Sequence, residues 1–285
     1  FARLADGRAD FLSDRILSGP HPAIRGLDYE YRDGRYVITA GAPTWEGQDI
    51  PTCQGFIRTW GLLAFLVECQ HDVARAGRYY ETWNDDVHIV KAPYPVIPPD
   101  ATVWGAFDWG FKHNTSFGVY TSIDGDDIKI GEHVQNKRSI RDHVAAMDDL
   151  MAQLGIPKSR LREIVAGTDA FDKTKDSSGK NIADQYGEYG YKMTPANTDR
   201  VIGWTRIREG LGNPAVGHRP TIYVFDTCPR TIASLKSLTH DPKLQEDVLK
   251  FDADDDGNGG DDPADETRYG MMAALRPSGA DLVSF

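Results

Sequence analysis

The chain has 285 residues, 40% hydrophobic and 26% charged, with a formal net charge of −11; that balance belongs to a globular protein long enough for one full domain plus an extra piece. The acidity argues against a protein that coats nucleic acid non-specifically, since phosphate binding leaves a basic footprint, although part of the excess is concentrated between Asp252 and Asp265 and carboxylates that hold metal ions stop acting as bare charge. Cys53, Cys69 and Cys228 form no CxxC pair, no apolar stretch is long enough to span a bilayer, and the N-terminal segment lacks a signal-peptide core, which sets aside a disulfide scaffold, a structural zinc site and a membrane anchor.

The chain begins at Phe1 rather than Met and reads as a fragment. In chain order, YEYRDGRYVITAG predicts a hairpin or strand, and Phe56, Trp60, Leu63 and Val67, spaced four, three and four within Cys53 to Ala76, predict a helix. APYPVIPPD is too proline-rich for either. It predicts a linker over 92–101 between an N-terminal segment, 1–91, the expected remnant of a preceding domain, and a main unit, 102–285. ATVWGAF then reads as a strand ending at Asp108, and FGVYTSI and DIKIGEHV flank the turn Asp124-Gly125-Asp126 as a hairpin. Ser139 caps a helix in which Ile140, Val144, Met147, Leu150 and Leu154 repeat, stopping at Gly155 with Pro157 beyond. RLREIVAG is a fourth strand delivering Asp169. A short helix, a helix from Arg200 to Leu211, the strand PTIYVF and a helix from Pro263 to about Leu275 complete the chain. Three antiparallel strands followed by alternating helices and strands describe an α/β protein, a ribonuclease-H-like mixed sheet flanked by helices on both faces.

Aspartates that close buried strands are held firmly while staying accessible, as binding a hard divalent cation requires. Asp108 and Asp169 have that placement, and Asp261, Asp262 and Asp265 cluster in GDDPADETRY at a helix start. Each has a structural alternative: Asp108 and Asp169 as turn formers, Asp262 as an N-cap before Pro263, Asp265 as a dipole complement. Capping and ligation are compatible. Phosphodiester hydrolysis needs an acidified water, charge neutralisation and leaving-group stabilisation, which two Mg²⁺ or Mn²⁺ ions about 3.5–4 Å apart supply. In that chemistry Asp108 would bridge both ions, Asp169 would hold one and Asp262 or Asp265 the other, with Asp261 ranked below them. Asp252, Asp254, Asp256 and Gly257 match the start of a calcium loop, but position twelve is Pro263, so the segment reads as an acidic loop. Lys112, Lys173, Lys175, Lys180, Arg200 and Arg206 follow the key strands and are candidates for tracking a DNA backbone, while Arg268 is expected to pair with a carboxylate one helical turn away.

DWGFKHNTSFG, TDAFDKT, YKMTPANTDRVIGWTRIREGL and GDDPADETRYG, taken together over residues 95–275, resemble the C-terminal nuclease domain of the large terminase subunit of tailed bacteriophages. TAGAPTWEGQD and GLLAFLVECQHDV are similar to the segment joining that nuclease to its ATPase. The resemblance implies a metal-dependent endonuclease that cuts double-stranded viral DNA during genome packaging in the host cytoplasm, with the terminase ATPase, the portal and the small terminase subunit as partners. It also implies that Asp262 stands where some members carry histidine. One departure is clear: no GxxxxGK[ST] is present, Gly179-Lys180 being followed by Asn181, so this chain is not expected to hydrolyse ATP. The alternatives are a non-catalytic docking module of the motor, and a ribonuclease-H-like nuclease acting on junctions or RNA hybrids.

Overall fold

The structure, a computed structural model, describes residues 22–32, 35–45, 47–60, 62, 65–66, 69–70, 78–172, 179–241 and 243–274. The chain divides into two compact units, the second running from Thr82 to Pro214 and from His218 onward. In the first, strands β1 (Ile24–Arg32) and β2 (Arg35–Pro43) pair antiparallel as the predicted hairpin. Helix α1 (Ile50–Trp60) starts where Asp49 accepts the Thr52 amide at 2.9 Å, three residues before the predicted helix. Gln54 on α1 ties it to β2 by exchanging bonds of 2.8 Å with the Ile38 amide and the Tyr36 carbonyl. Ala23, Ile24, Cys53, Ile57, Phe65 and Cys69 form this unit's core.

The second unit is built on a seven-stranded sheet. Its first elements precede the proline-rich segment: a one-turn helix, α2 (Asp85–His88), capped by Asn84, runs into the short strand β3 (Ile89–Val90). Then come β4 (Val103–Asp108), β5 (Thr115–Ile123) and β6 (Asp126–Gln135), antiparallel neighbours as the alternation and the Asp124–Gly125 turn predict. Asp124 and Gly125 both take positive φ, 53° and 85°, which the two-residue reversal requires. Helix α3 (Ile140–Gln153) begins at Ser139, whose hydroxyl accepts the Asp142 amide, and unwinds at Gly155 with φ 65°.

Strand β7 (Leu161–Ala166) pairs parallel with β4, and the chain then turns through a 3₁₀ segment, Thr168–Phe171, before α4 (Ile182–Gly187) and the short strand β8 (Thr194–Pro195). Helix α5 (Arg200–Leu211), strand β9 (Ile222–Phe225), helix α6 (Pro229–Ser237) and helix α7 (Asp262–Ala274) follow. The strand order is β3-β9-β6-β5-β4-β7-β8. Five strands, β6-β5-β4-β7-β8, make the ribonuclease-H-like core, and β9 and β3 extend it beyond β6, both running parallel to their inner neighbours.

Alternation along β4 and β5 separates the two faces of this sheet. Trp104 and Tyr120 face α7, where the Trp104 indole donates to the Gly270 carbonyl at 2.9 Å. Phe107 and Phe117 face the opposite side and meet Tyr186 and Tyr191 edge-on. Asp108 falls on the α7 side at the end of β4, the strand with β5 and β7 as neighbours. No described helix is long and apolar enough to cross a membrane, and the three cysteines are buried.

Candidate active site

Asp108 is the last residue of β4, half-buried between β5 and β7. The neighbouring strand β7 ends at Ala166, so Asp169 is delivered from the 3₁₀ turn behind it rather than from the strand itself. Gly167 makes this possible. A Cβ there would lie 2.9 Å from Asp169 Oδ1, 3.0 Å from Asp108 Oδ1 and 3.3 Å from the Tyr269 ring. The two carboxylates therefore converge on one glycine, with Tyr269 of α7 beside it.

The first turn of α7 supplies the others. Asp262, Asp265 and Glu266 share a face at helical spacing. The Asp261 carbonyl accepts the Ala264 and Asp265 amides, at 2.9 and 2.8 Å, and so starts the helix. Asp262 Oδ2 lies 3.3 Å from both the backbone and the side-chain nitrogen of Asn114, which donate to it from the foot of β5. Arg268, buried beside Trp204, donates from Nε and Nη2 to Asp265 Oδ1 at 3.0 and 2.8 Å, and from Nη1 to the Thr198 carbonyl at 2.9 Å. Only glycine fits at position 203 opposite it, because a Cβ would stand 2.4 Å from Arg268 Cγ. Asp265 Oδ2 has a longer, 3.5 Å contact with Arg200 Nη1.

These placements put like charges together, and the electrostatics respond. Burial pushes the Asp108 carboxyl well above the ordinary carboxylate range, and Asp265, Asp169 and Asp262, in that order, push it further. No described donor reaches that carboxylate. Asp261, only 7% exposed, is raised to about 6 by burial and then by Asp265 and Asp262. Its Oδ2 is buried without a hydrogen-bond partner. Asp262 is also raised by burial, against the lowering effect of Asn114.

The donor set is entirely carboxylate oxygen, the chemistry a hard divalent cation takes. The side chains are not gathered into a finished shell: among the described residues no three His, Cys, Asp or Glu side chains stand as a metal-holding group.

The basic candidates separate. Lys112 is exposed on the six-residue loop between β4 and β5. Lys180 is exposed and paired with Glu188. Arg200 points at the acids themselves, binding Asp247 through Nε at 2.9 and 3.0 Å and the Val248 carbonyl at 3.0 Å. Arg206 pairs with Asp127 at 2.8 Å. Lys173 and Lys175 lie outside the described residues. In the acidic loop, Asp254 Oδ1 accepts the Asp256 and Asn258 amides at 3.0 and 2.8 Å, a turn closed by its own backbone. Asn114, Gly167, Asp247 and Glu266 also stand at the site without having been candidates from the sequence. Asn114 and Glu266 lie inside the segments quoted above, but only their contacts in the fold mark them, and the glycine after strand β7 is the one local signal.

The second unit thus has a ribonuclease-H-like fold with acids from β4, from the turn after β7 and from the start of α7 at one end of its sheet. Among solved structures it is similar to the P22 large terminase nuclease domain, with 18% identity and a TM-score of 0.51 over 73% of this chain and 98% of that one. It is also similar to the large terminase of the thermophilic bacteriophage D6E in complex with ATP-gamma-S, with 17% identity and a TM-score of 0.50 over 79% of this chain and 52% of that one. The chain spans about half the length of the D6E protein it matches, 52%. No protein-family model and no curated protein matches the chain.

Proposed function

We propose that the second unit is a metal-dependent endonuclease that cleaves double-stranded DNA during viral genome packaging. The observation that supports this reading is that Asp108 and Asp169, 61 residues apart, approach each other at Gly167 at the end of β4, while Asp265 and Asp262 act electrostatically on Asp108. Asp108, Asp169 and Asp265 would hold divalent cations, Mg²⁺ or Mn²⁺ and two in number, with Asp262 and Asp261 alongside. When bound, such ions supply an acidified water and neutralise charge on the scissile phosphate. The chain's own residues do the holding. Arg268 fixes Asp265 through Oδ1, Asn114 orients Asp262, and Gly167 lets Asp108 and Asp169 approach. Lys112, and with it Lys173, Lys175 and Lys180, would track the DNA backbone, while Arg200 would neutralise charge at the cluster's edge.

The likeness to the P22 nuclease domain supports this reading. By the same likeness the first unit would join the nuclease to an ATPase, and the portal and small terminase subunit would be partners in the host cytoplasm. A second reading, a non-catalytic docking module, draws on the spread of the carboxylates and the arginine hold on Asp265. Incubation with supercoiled plasmid and Mg²⁺ or Mn²⁺ separates the two. The nuclease reading expects nicking that Asp108→Ala abolishes without unfolding the chain, and full activity in Asp108→Ala would remove it. Linear duplex, a branched junction and an RNA–DNA hybrid, compared side by side, identify the substrate.

A further inference from the structure

Beneath the acidic cluster lies a charged pair that the proposed chemistry does not use. Lys129 on β6 and Glu266 on α7 are both 0% exposed and are ion-paired through Nζ and Oε2. A buried pair of this kind gains little stability over apolar side chains of similar volume, because desolvation offsets the attraction. What it does supply is direction. Glu266 accepts the Tyr120 hydroxyl at 2.6 Å and the Ser116 hydroxyl at 3.4 Å, and Lys129 also donates to Thr267 Oγ1 at 3.1 Å.

Two glycines shape the fit. A Cβ at Gly118 of β5 would stand 2.3 Å from Glu266 Oε1, and one at Gly270 of α7 would stand 2.5 Å from the Tyr120 ring. Each side therefore has a gap that only the other's polar side chain fills. A slip of α7 by one residue rotates its face by about 100°. It would strand both charges unpaired in the core and carry Asp265, the neighbour of Glu266, away from Asp108.

We propose that Lys129 and Glu266 are positioning residues for the cation site, locking the register of α7 on β5 and β6 so that Asp262 and Asp265 face Asp108. The pair serves alignment more than stability. This rests on the metal-dependent reading above. The test measures Mn²⁺ binding to the full chain by titration calorimetry, together with thermal unfolding, for the parent, for Lys129→Met combined with Glu266→Leu, and for Tyr120→Phe. The double variant is expected to unfold cooperatively near the parent's temperature yet bind Mn²⁺ about tenfold or more weakly, with Tyr120→Phe between the two. Parental affinity in a folded double variant overturns the positioning role and leaves the nuclease reading standing. Should the double variant not fold, Tyr120→Phe and Ser116→Ala decide, and unchanged affinity in both overturns it equally. A parent chain that binds no Mn²⁺ sinks the metal reading and this role together.

Discussion

Asp265 is held by two arginines: its Oδ1 takes both bonds from Arg268, and its Oδ2 has the longer, 3.5 Å contact with Arg200 Nη1. Fixing the carboxylate's rotamer in this way is what a supporting group does for the side chain it holds. Arg268→Lys keeps the charge but not the two-pronged geometry, so Mn²⁺ affinity should fall by about tenfold or more in calorimetry while the fold persists. Unchanged affinity would show that Asp265 does not need the clamp. Asp262→Asn and Asp265→Asn distinguish the paired candidates. Asn at 262 keeps an oxygen that can accept the Asn114 donors, so its loss of plasmid nicking should be the smaller, whereas Asp265→Asn should lower nicking by about a hundredfold or more. The reverse ranking would give the ligand role to Asp262.

Among the elements, α3 and β6 bring together a second buried pair of titratable groups, both histidines. His133 Nε2 and His143 Nδ1 are 2.8 Å apart, and burial together with mutual repulsion in the charged state lowers His133 to about 4; burial and Arg138 lower His143 to about 4. Both rings are therefore neutral at pH 7, and NMR should show neither titrating between about pH 5.5 and 8, unlike an ordinary histidine. A transition near pH 6.5 for either ring would contradict the packing. The start of α3 is a simpler case. The Ser139 hydroxyl accepts the Asp142 amide at 3.2 Å, so Ser139→Ala should cost about 1 kcal/mol in denaturant unfolding.

For the whole molecule, the raised acids make stability depend on pH and on cations. A carboxyl whose folded pKa lies above its ordinary value binds its proton more tightly when folded. Its contribution is fully present below pH 3.8 and is lost as pH rises through the folded pKa, about 6 for Asp261 and higher than the ordinary value for Asp108. The histidine pair acts oppositely, its contribution being lost as pH falls from 6.5 through about 4. Without divalent cations the acids lower and the histidine pair raises the melting temperature as pH climbs from 5 to 6.5, so the acids' share is read as the difference between parent and Asp108→Asn, which should grow in the variant's favour from pH 5 to pH 8, and Mn²⁺ should raise the parent's melting temperature more at the higher pH. A melting temperature that Mn²⁺ leaves unchanged at pH 8 would count against a cation at this cluster.

Local chemistry made much of this protein readable before folding. Alternation set β4, β5 and β6, the Asp-Gly reversal set their antiparallel order, and Ser139 and Gly155 bounded α3, because these signals act over a few residues and need no distant partner. The same locality let Asp108 and the acids of the α7 turn be singled out. Contacts of long sequence separation were not readable. The β3 edge strand forms only because β9 is there to pair with it, and Asp169 comes from a turn that Gly167 folds back beside Asp108. Arg200 resembles a free cation in sequence, yet the fold sets it between Asp247 and Asp265. Lys129 and Glu266, 137 residues apart, meet only because Gly118 leaves the space between them. Sequence determines which side chains are available and what each prefers nearby; which charges must share one low-dielectric space is decided only by tertiary packing, since that energy depends on distances the chain does not have until it folds.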